Sequence, residues 1–372
     1  MMINLSSRGK VENLEGQLVG KLRPSKGIKY GFELVNSLYD PTNEDRVVAL
    51  VSQERLNSQL PNIFNLSNYK ILAEGDVVYI NDQGVLDILY RRQSKHNTLF
   101  ITDQCNSYCL MCSQPPKNKD DFDFHYFRNK CLIPLMDEET EVIGITGGEP
   151  FLLGDRMIEI LEDLKSQLPQ TTIHLLTNGK VFAWNDWAEK MEQFKENLIL
   201  AVPLYSDNFV DHDYIVQSNG AFRQTMLGLH NLAKYQIHIE LRVVLQRPTI
   251  KRIEELSLFI TKNLPFVESV AFMGLEFTGL AIANKDKLWI EPSEYASALK
   301  KSVFLLDRFG IRVNIFNMPL CVLEPELRDF ATKSISDWKR SYLDKCEHCS
   351  AKSDCGGVFG TSRQLTNEIS PL

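Results

Sequence analysis

From residue 97 onward the chain repeats one pattern: a short apolar strand-like run, a loop, then an amphipathic helix-like stretch. Strand candidates are Thr98 to Thr102, Val142 to Thr146, Thr172 to Thr177, Leu198 to Leu204, His238 to Leu245 and Ser269 to Met273. Helical periodicity lies between them, as in Met157 to Leu164 and in Arg252 to Thr261, where Ile253, Leu256 and Ile260 share a face. Strands alternating with helices of this length require a parallel sheet joined by right-handed crossovers. Six such units make either an open doubly wound sheet or an incomplete (β/α) barrel. In both, the loops at the carboxyl ends of the strands carry the chemistry.

Residues 1 to about 96 follow a different rule. Short β-branched and aromatic runs recur between turn residues, as in Tyr30 to Val35, Arg46 to Val51, Asp76 to Ile80 and Val85 to Tyr90. The last two, joined by Asn81-Asp82-Gln83-Gly84, read as a hairpin. This stretch is expected to be a β-rich accessory domain that could take a leader peptide by strand addition. Arg91 to His96 is the linker. The division is therefore 1–96, a core over 97–285, and an extension over 286–372.

Eight cysteines fall almost entirely into two groups: Cys105, Cys109 and Cys112, then Cys321, Cys346, Cys349 and Cys355. Only Cys131 stands apart. The first residues, Met1 to Arg8, show no secretory signal, and no run is long and apolar enough for a membrane span. A cytoplasmic, reducing location is expected, where clustered thiols mean metal or redox chemistry. With 41 basic against 48 acidic residues the formal charge is −7, which argues against general nucleic-acid binding.

The first thiol group directly follows the first strand of the repeat. Three thiolates suit one face of a [4Fe–4S] cube, and they leave one iron open to bind a substrate. A zinc site would need a fourth ligand, from His125 or Cys131. Yet Phe124, Phe127, Cys131 and Leu135 recur at helical spacing, so Cys131 reads most simply as a small buried hydrophobe. The next strand ends Thr146-Gly147-Gly148-Glu149-Pro150. Paired glycines at a strand end permit close approach to the backbone, although a plain strand-exit turn also explains them.

With both features in register, the sequence resembles the radical S-adenosylmethionine (radical SAM) enzymes over residues 97 to about 285. Those enzymes carry a C-x3-C-x2-C loop after the first barrel strand and a Gly-Gly-Glu run after the second. The resemblance implies a partial (β/α)6 barrel, with Cys105, Cys109 and Cys112 holding a [4Fe–4S] cluster that binds S-adenosylmethionine. It implies that Thr146, Gly147, Gly148 and Glu149 position the methionine amino group. Thr177, Asn178, Ser206 and Arg242 are further family-like contacts. Met111 stands where the family usually has an aromatic residue, and its backbone would serve the adenine. The implied reaction is one-electron cleavage to a 5′-deoxyadenosyl radical, which abstracts hydrogen from an unreactive C–H, with a flavodoxin or ferredoxin as electron donor.

The second group supplies four thiolates, enough for one zinc or one fully ligated [4Fe–4S] cluster; spacing does not choose between them. A helix-like stretch from Leu327 to Leu343 lies between the ligands. His348 reads as a surface residue. The ending Cys355-Gly356-Gly357 resembles the cysteine-rich extensions of peptide-modifying radical enzymes. Over most of its length the chain resembles the C-type radical SAM maturase of His-Xaa-Ser systems. The residues concerned are Cys109 to Pro116, Asn317 to Cys321 and Lys345 to Cys349. That resemblance implies a precursor peptide with His-Xaa-Ser repeats as substrate and a second radical SAM maturase as partner. The rivals are the same chemistry on a small molecule or RNA, and a non-catalytic zinc scaffold.

Overall fold

The computed structural model describes all residues except 1–4, 29–30, 37, 39–45 and 334–338. Tyr30 of the expected first strand and the start of the N-terminal segment lie outside the described residues. The N-terminal region forms one sheet of eight strands. They are β1 (Ser6–Arg8), β2 (Lys10–Glu12), β3 (Gln17–Pro24), β4 (Gly31–Val35), β5 (Val47–Ser52), β6 (Asn62–Phe64), β7 (Val77–Asn81) and β8 (Val85–Tyr90). The order is β1-β8-β7-β3-β4-β5-β6-β2. Its two ends, β1 and β2, are separated only by Gly9, so the sheet closes on itself as a small barrel. Leu22, Leu34, Val51, Ile63, Ile80 and Leu86 fill its interior. The β7–β8 hairpin turns at Gly84, whose φ of 74° is the left-handed region that glycine enters without strain. Closure has a consequence for the expected strand addition: among the described residues the sheet has no outer strand for a peptide to extend.

A second sheet has seven strands, all parallel and in sequence order. They are β9 (His96–Phe100), β10 (Val142–Thr146), β11 (Thr172–Leu176), β12 (Leu198–Pro203), β13 (His238–Leu245), β14 (Ser269–Gly274) and β15 (Arg312–Phe316). A doubly wound sheet would reverse its order partway. Sequential order with right-handed crossovers instead puts every helix on one face and curls the sheet. The molecule is thus an incomplete barrel of six βα units and a seventh strand, and β15 lies past residue 285 in the same sheet.

The helices are α1 (Phe122–Leu132), α2 (Asp155–Gln167), α3 (Asn185–Met191), α4 (Phe209–Val216), α5 (Ala221–Lys234), α6 (Arg247–Ile250), α7 (Ile253–Asn263), α8 (Leu280–Ala283), α9 (Lys285–Leu288) and α10 (Pro292–Arg308). Alternate strand residues such as Ile143, Ile145, Ile173, Leu175, Leu241 and Val243 are buried in the same core as Met157, Leu161, Leu256, Ile260 and Val303 of the helices. The other face of the strands carries Gly144, Thr146, His174 and Arg242, and lines an open cavity. Cys131 sits half-buried on α1 against the core.

The expected helix from Leu327 to Leu343 is not what forms. Pro325–Phe330 makes a short 3-10 turn, after which the Thr332 N–H donates to the Ile315 carbonyl. Arg340–Ser341 (β16) then pairs antiparallel with Val358–Phe359 (β17). Backbone hydrogen bonds go to sheet partners distant in sequence, which local periodicity does not reveal. Residues 334–338 of that stretch lie outside the described residues. Among the described residues no helix is long and apolar enough to cross a membrane.

Candidate cluster site and its cavity

The loop bearing Cys105, Cys109 and Cys112 leaves β9 and is clamped on every side. At its start, buried Asp121 accepts from the Thr102 hydroxyl (2.6 Å) and the Asp103 N–H (2.7 Å). From β10, the Gly148 N–H donates to the Thr102 carbonyl and the Glu149 N–H to the Gln104 carbonyl. A Cβ on Gly148 would lie 2.0 Å from that Gln104 oxygen. The paired glycines therefore admit the thiol loop's own backbone, which is a closer visitor than any ligand. On the far side, Tyr108 and Leu110 donate to Val216 and Ile215 at the end of α4. Leu280 donates to the Cys112 carbonyl, over which Gly279 (φ 57°) fits only without a side chain.

The thiols are partly buried and close enough to act on one another. Burial first, then the Glu149 charge, pushes the Cys105 thiol up to about 11. Burial, then Cys105 and Cys112, pushes Cys109 up to about 12; burial also raises Cys112. Bound iron would supply the positive charge that such crowded sulfurs need to ionise. The buried Ser107 hydroxyl, between two of the cysteines, has no hydrogen-bond partner among the described residues. Among the described residues, no three His, Cys, Asp or Glu side chains converge tightly enough to hold a single ion. Three thiolates are the donor set that a cube takes, one to each of three irons. Zinc's fourth ligand is not brought in either: Cys131 stays on α1, and His125 Nε2 faces Asp121 at 3.5 Å.

The residues implied as cofactor contacts take up varied positions. Thr146 and Arg242 line the cavity. Glu149 is 2% exposed, and its carboxylate is already engaged by the Phe151 N–H (3.2 Å), the Thr177 hydroxyl (2.7 Å) and the Asn178 N–H (2.7 Å). Burial pushes its pKa up, opposed by those donors. Asn178 Nδ2 in turn donates to Asn106 Oδ1 in the thiol loop (2.7 Å). The Ser206 hydroxyl is buried beside Asn208 Nδ2 (3.1 Å), ahead of α4. Met111 is buried with Tyr205 and Phe277.

Three groups escaped sequence reasoning. Lys180, 5% exposed, donates to the Asn106 carbonyl (2.7 Å) and to Ser218 Oγ (3.1 Å). On the inner barrel face, Glu240 accepts from His174 (3.3 Å) and lies 3.4 Å from Arg242, which also reaches Met273 Sδ (2.7 Å). Burial opposes the Glu240 charge, but the His174 hydrogen bond and Arg242 together hold its pKa below the usual carboxylate range. Glu240 and Arg242 interrupt an apolar strand at alternate positions, a legible sign of an inward polar face. The third group is Glu276, paired with Lys339 (3.2 Å) and with the Thr361 hydroxyl, which ties the C-terminal segment to the cavity mouth. The cavity is open, about 580 Å³, and reaches from Ser113 and Gln114 beside Cys112 to Ile88 and Leu89 of the N-terminal barrel.

The second thiol group is assembled by distant segments. Cys321, Cys346, Cys349 and Cys355 all line one pocket of about 410 Å³. The Leu320 and Gly357 N–H groups donate to Cys355 Sγ (3.4 and 3.3 Å), and the Leu372 N–H to Cys349 Sγ (3.4 Å). His348 is exposed.

Residues 99–260 match the profile of the Radical SAM superfamily. Over 89 residues the chain is 36% identical to a Methanocaldococcus jannaschii protein named for glycyl-radical enzyme activation, covering 21% of this chain and 23% of that one. Over 188 residues it is 27% identical to an uncharacterized protein of the same organism, covering 48% and 62%. The chain thus spans less than two thirds of either curated relative. Similar solved structures include Streptococcus suis SuiB bound to S-adenosylmethionine, at 14% identity and TM-score 0.45, covering 59% of this chain and 49% of that one. Another is native anSMEcpe with bound AdoMet, at 16% identity and TM-score 0.44, covering 59% and 63%.

Proposed function

We propose, from the premise that this chain belongs to the radical SAM superfamily through residues 99–260, that it is a peptide-modifying radical enzyme. Cys105, Cys109 and Cys112 would hold the [4Fe–4S] cluster. When bound, the cluster supplies the electron that releases a 5′-deoxyadenosyl radical from S-adenosylmethionine, and that radical takes hydrogen from an unreactive C–H. The chain's own residues do the rest. Asp121, Glu149 and Asn178 hold the thiol loop, and Thr146, Gly147 and Gly148 end the strand beside it. Glu149 serves from behind, since its carboxylate is committed to protein donors. Arg242 offers a cation to a carboxylate in the cavity.

The observation that carries the substrate class is the cavity. It gives a guest about 580 Å³, within the roughly 300–1,000 Å³ of small-molecule sites, so the lining and not the volume carries the reading. Its lining comes from the barrel, the N-terminal domain and the C-terminal segment, which suits a length of peptide. We take the peptide to be a His-Xaa-Ser precursor, with a second radical SAM maturase acting on it and a flavodoxin or ferredoxin giving electrons. Four thiols around one apolar pocket, with backbone N–H groups on two of the sulfurs, support a second [4Fe–4S] cluster over zinc.

The test is anaerobic. Reconstituted, reduced protein should release 5′-deoxyadenosine from S-adenosylmethionine, with about eight irons per chain. The Cys105→Ala/Cys109→Ala/Cys112→Ala protein should release none. Precursor peptide deuterated at its side chains should pass the label into 5′-deoxyadenosine. Product without any transfer of label would remove the peptide reading. A chain that takes zinc and refuses iron would remove the enzyme.

A further inference from the structure

Lys180 is a buried cation with no carboxylate in direct contact. Its ammonium is bound only by neutral acceptors, the Asn106 carbonyl and the Ser218 hydroxyl. Among the described residues it forms no ion pair. The nearby carboxylates favour the ammonium from a distance but bond elsewhere: Glu149 accepts from Phe151, Thr177 and Asn178, and Asp213 from the N–H groups of Gly220 and Phe222. Lysines are almost never fully buried unless paired, because an uncompensated charge in a low dielectric is costly.

What the ammonium faces is the thiol loop. Asn106, which it grips, sits between Cys105 and the rest of the group. Three thiolates outweigh a doubly positive cube by one negative charge, and one-electron reduction adds another. We propose that Lys180 is the built-in counter-charge of the cluster on Cys105, Cys109 and Cys112, placed to favour its reduced state. The inference rests on the cluster reading above and adds to it a positioning residue that raises the cluster's reduction potential. A fixed cation stabilises the more negative partner of a redox couple, so the sign is set by electrostatics alone.

The experiment is a redox titration of the iron-loaded chain, following the paramagnetic signal that S-adenosylmethionine perturbs. Lys180→Met should lower the equilibrium constant for reduction about tenfold, which for one electron is about 59 mV. Lys180→Arg, which keeps the charge, should stay near the wild type. An unshifted Lys180→Met protein with full iron overturns the inference. Should Lys180→Met take up no iron, Lys180→Gln takes its place, since its amide can keep the contact with Asn106 without the charge, and an unshifted potential there overturns the inference. A wild type with no perturbable signal fails the cluster reading itself, whereas a signal that the variant leaves in place fails only this inference.

Discussion

The two thiol groups of this chain solve the same problem by opposite means. Cys105, Cys109 and Cys112 lie within one short loop, and the protein's effort goes into holding that loop from outside. Asp121, the β10 glycines, α4 and α8 all donate or accept on its backbone. The C-terminal four come from separate segments that converge on one pocket, with N–H groups turned onto the sulfurs themselves. Three thiols beside an open cavity leave a coordination place for a reactant. Four thiols, one for each iron, leave none. The first arrangement suits chemistry, and the second suits structure or electron storage.

The sharpest way to break this contrast is to remove thiols from the second pocket alone. Cys349→Ala/Cys355→Ala should cut iron from about eight to about four per chain, and reductive cleavage of S-adenosylmethionine should persist. Iron analysis and a 5′-deoxyadenosine assay read both quantities. If cleavage vanished while four irons remained, the two sites would not be separable in role.

A smaller effect compares glycines. Gly148→Ala would drive a methyl into the Gln104 carbonyl at 2.0 Å, backbone against backbone. Overpacking of this kind costs about 2–3 kcal/mol, and because the loop must move, iron uptake at the first site should fall with it. Gly356→Ala, next to Cys355, meets its nearest atom at 3.5 Å and should be tolerated. Thermal melts and iron content of the two variants check this. Equal damage from both would mean that the tight joint is not particular to the first loop.

The same contrast governs how much could be read from the sequence. The first thiol group is local, so spacing shows it at once, and strands such as His238–Leu245 announce themselves by apolar residues at alternate positions. The second sheet's last strand, Arg312–Phe316, escaped notice because it is short and interrupted by Asn314. Leu327 to Leu343 looked helical because the partner of Arg340–Ser341, Val358–Phe359, lies farther along the chain. Closure of the N-terminal sheet depends on Gly9 joining β1 to β2, which no window of local periodicity can display. Glu149 is the instructive residue at the site. Its type and position point to a ligand contact, yet Thr177 and Asn178 from the next βα unit consume its carboxylate. Lys180 reads as an ordinary surface lysine until the fold closes over it.

The smallest expected effect is a pH dependence confined to the first site's scaffold. His212 on α4 is buried, accepts the Tyr205 N–H at Nδ1 (3.3 Å) and stacks on the Tyr205 ring. Burial pulls its pKa down to about 4, with Lys180 adding to that and Asp213 opposing it. Below the ordinary value near 6.5 the unfolded chain binds a proton that the folded one refuses. Stability from this group is therefore complete above pH 6.5 and drains away as pH falls toward 4, by up to about 3 kcal/mol. The end of α4 holds Tyr108 and Leu110, so acid should loosen the first thiol loop. No histidine lines the C-terminal pocket. His212→Leu should flatten the stability profile between pH 6.5 and 4 in denaturant titrations, at some cost in stability at neutral pH from the lost Tyr205 hydrogen bond. An unchanged slope would show that α4 yields to acid through other groups.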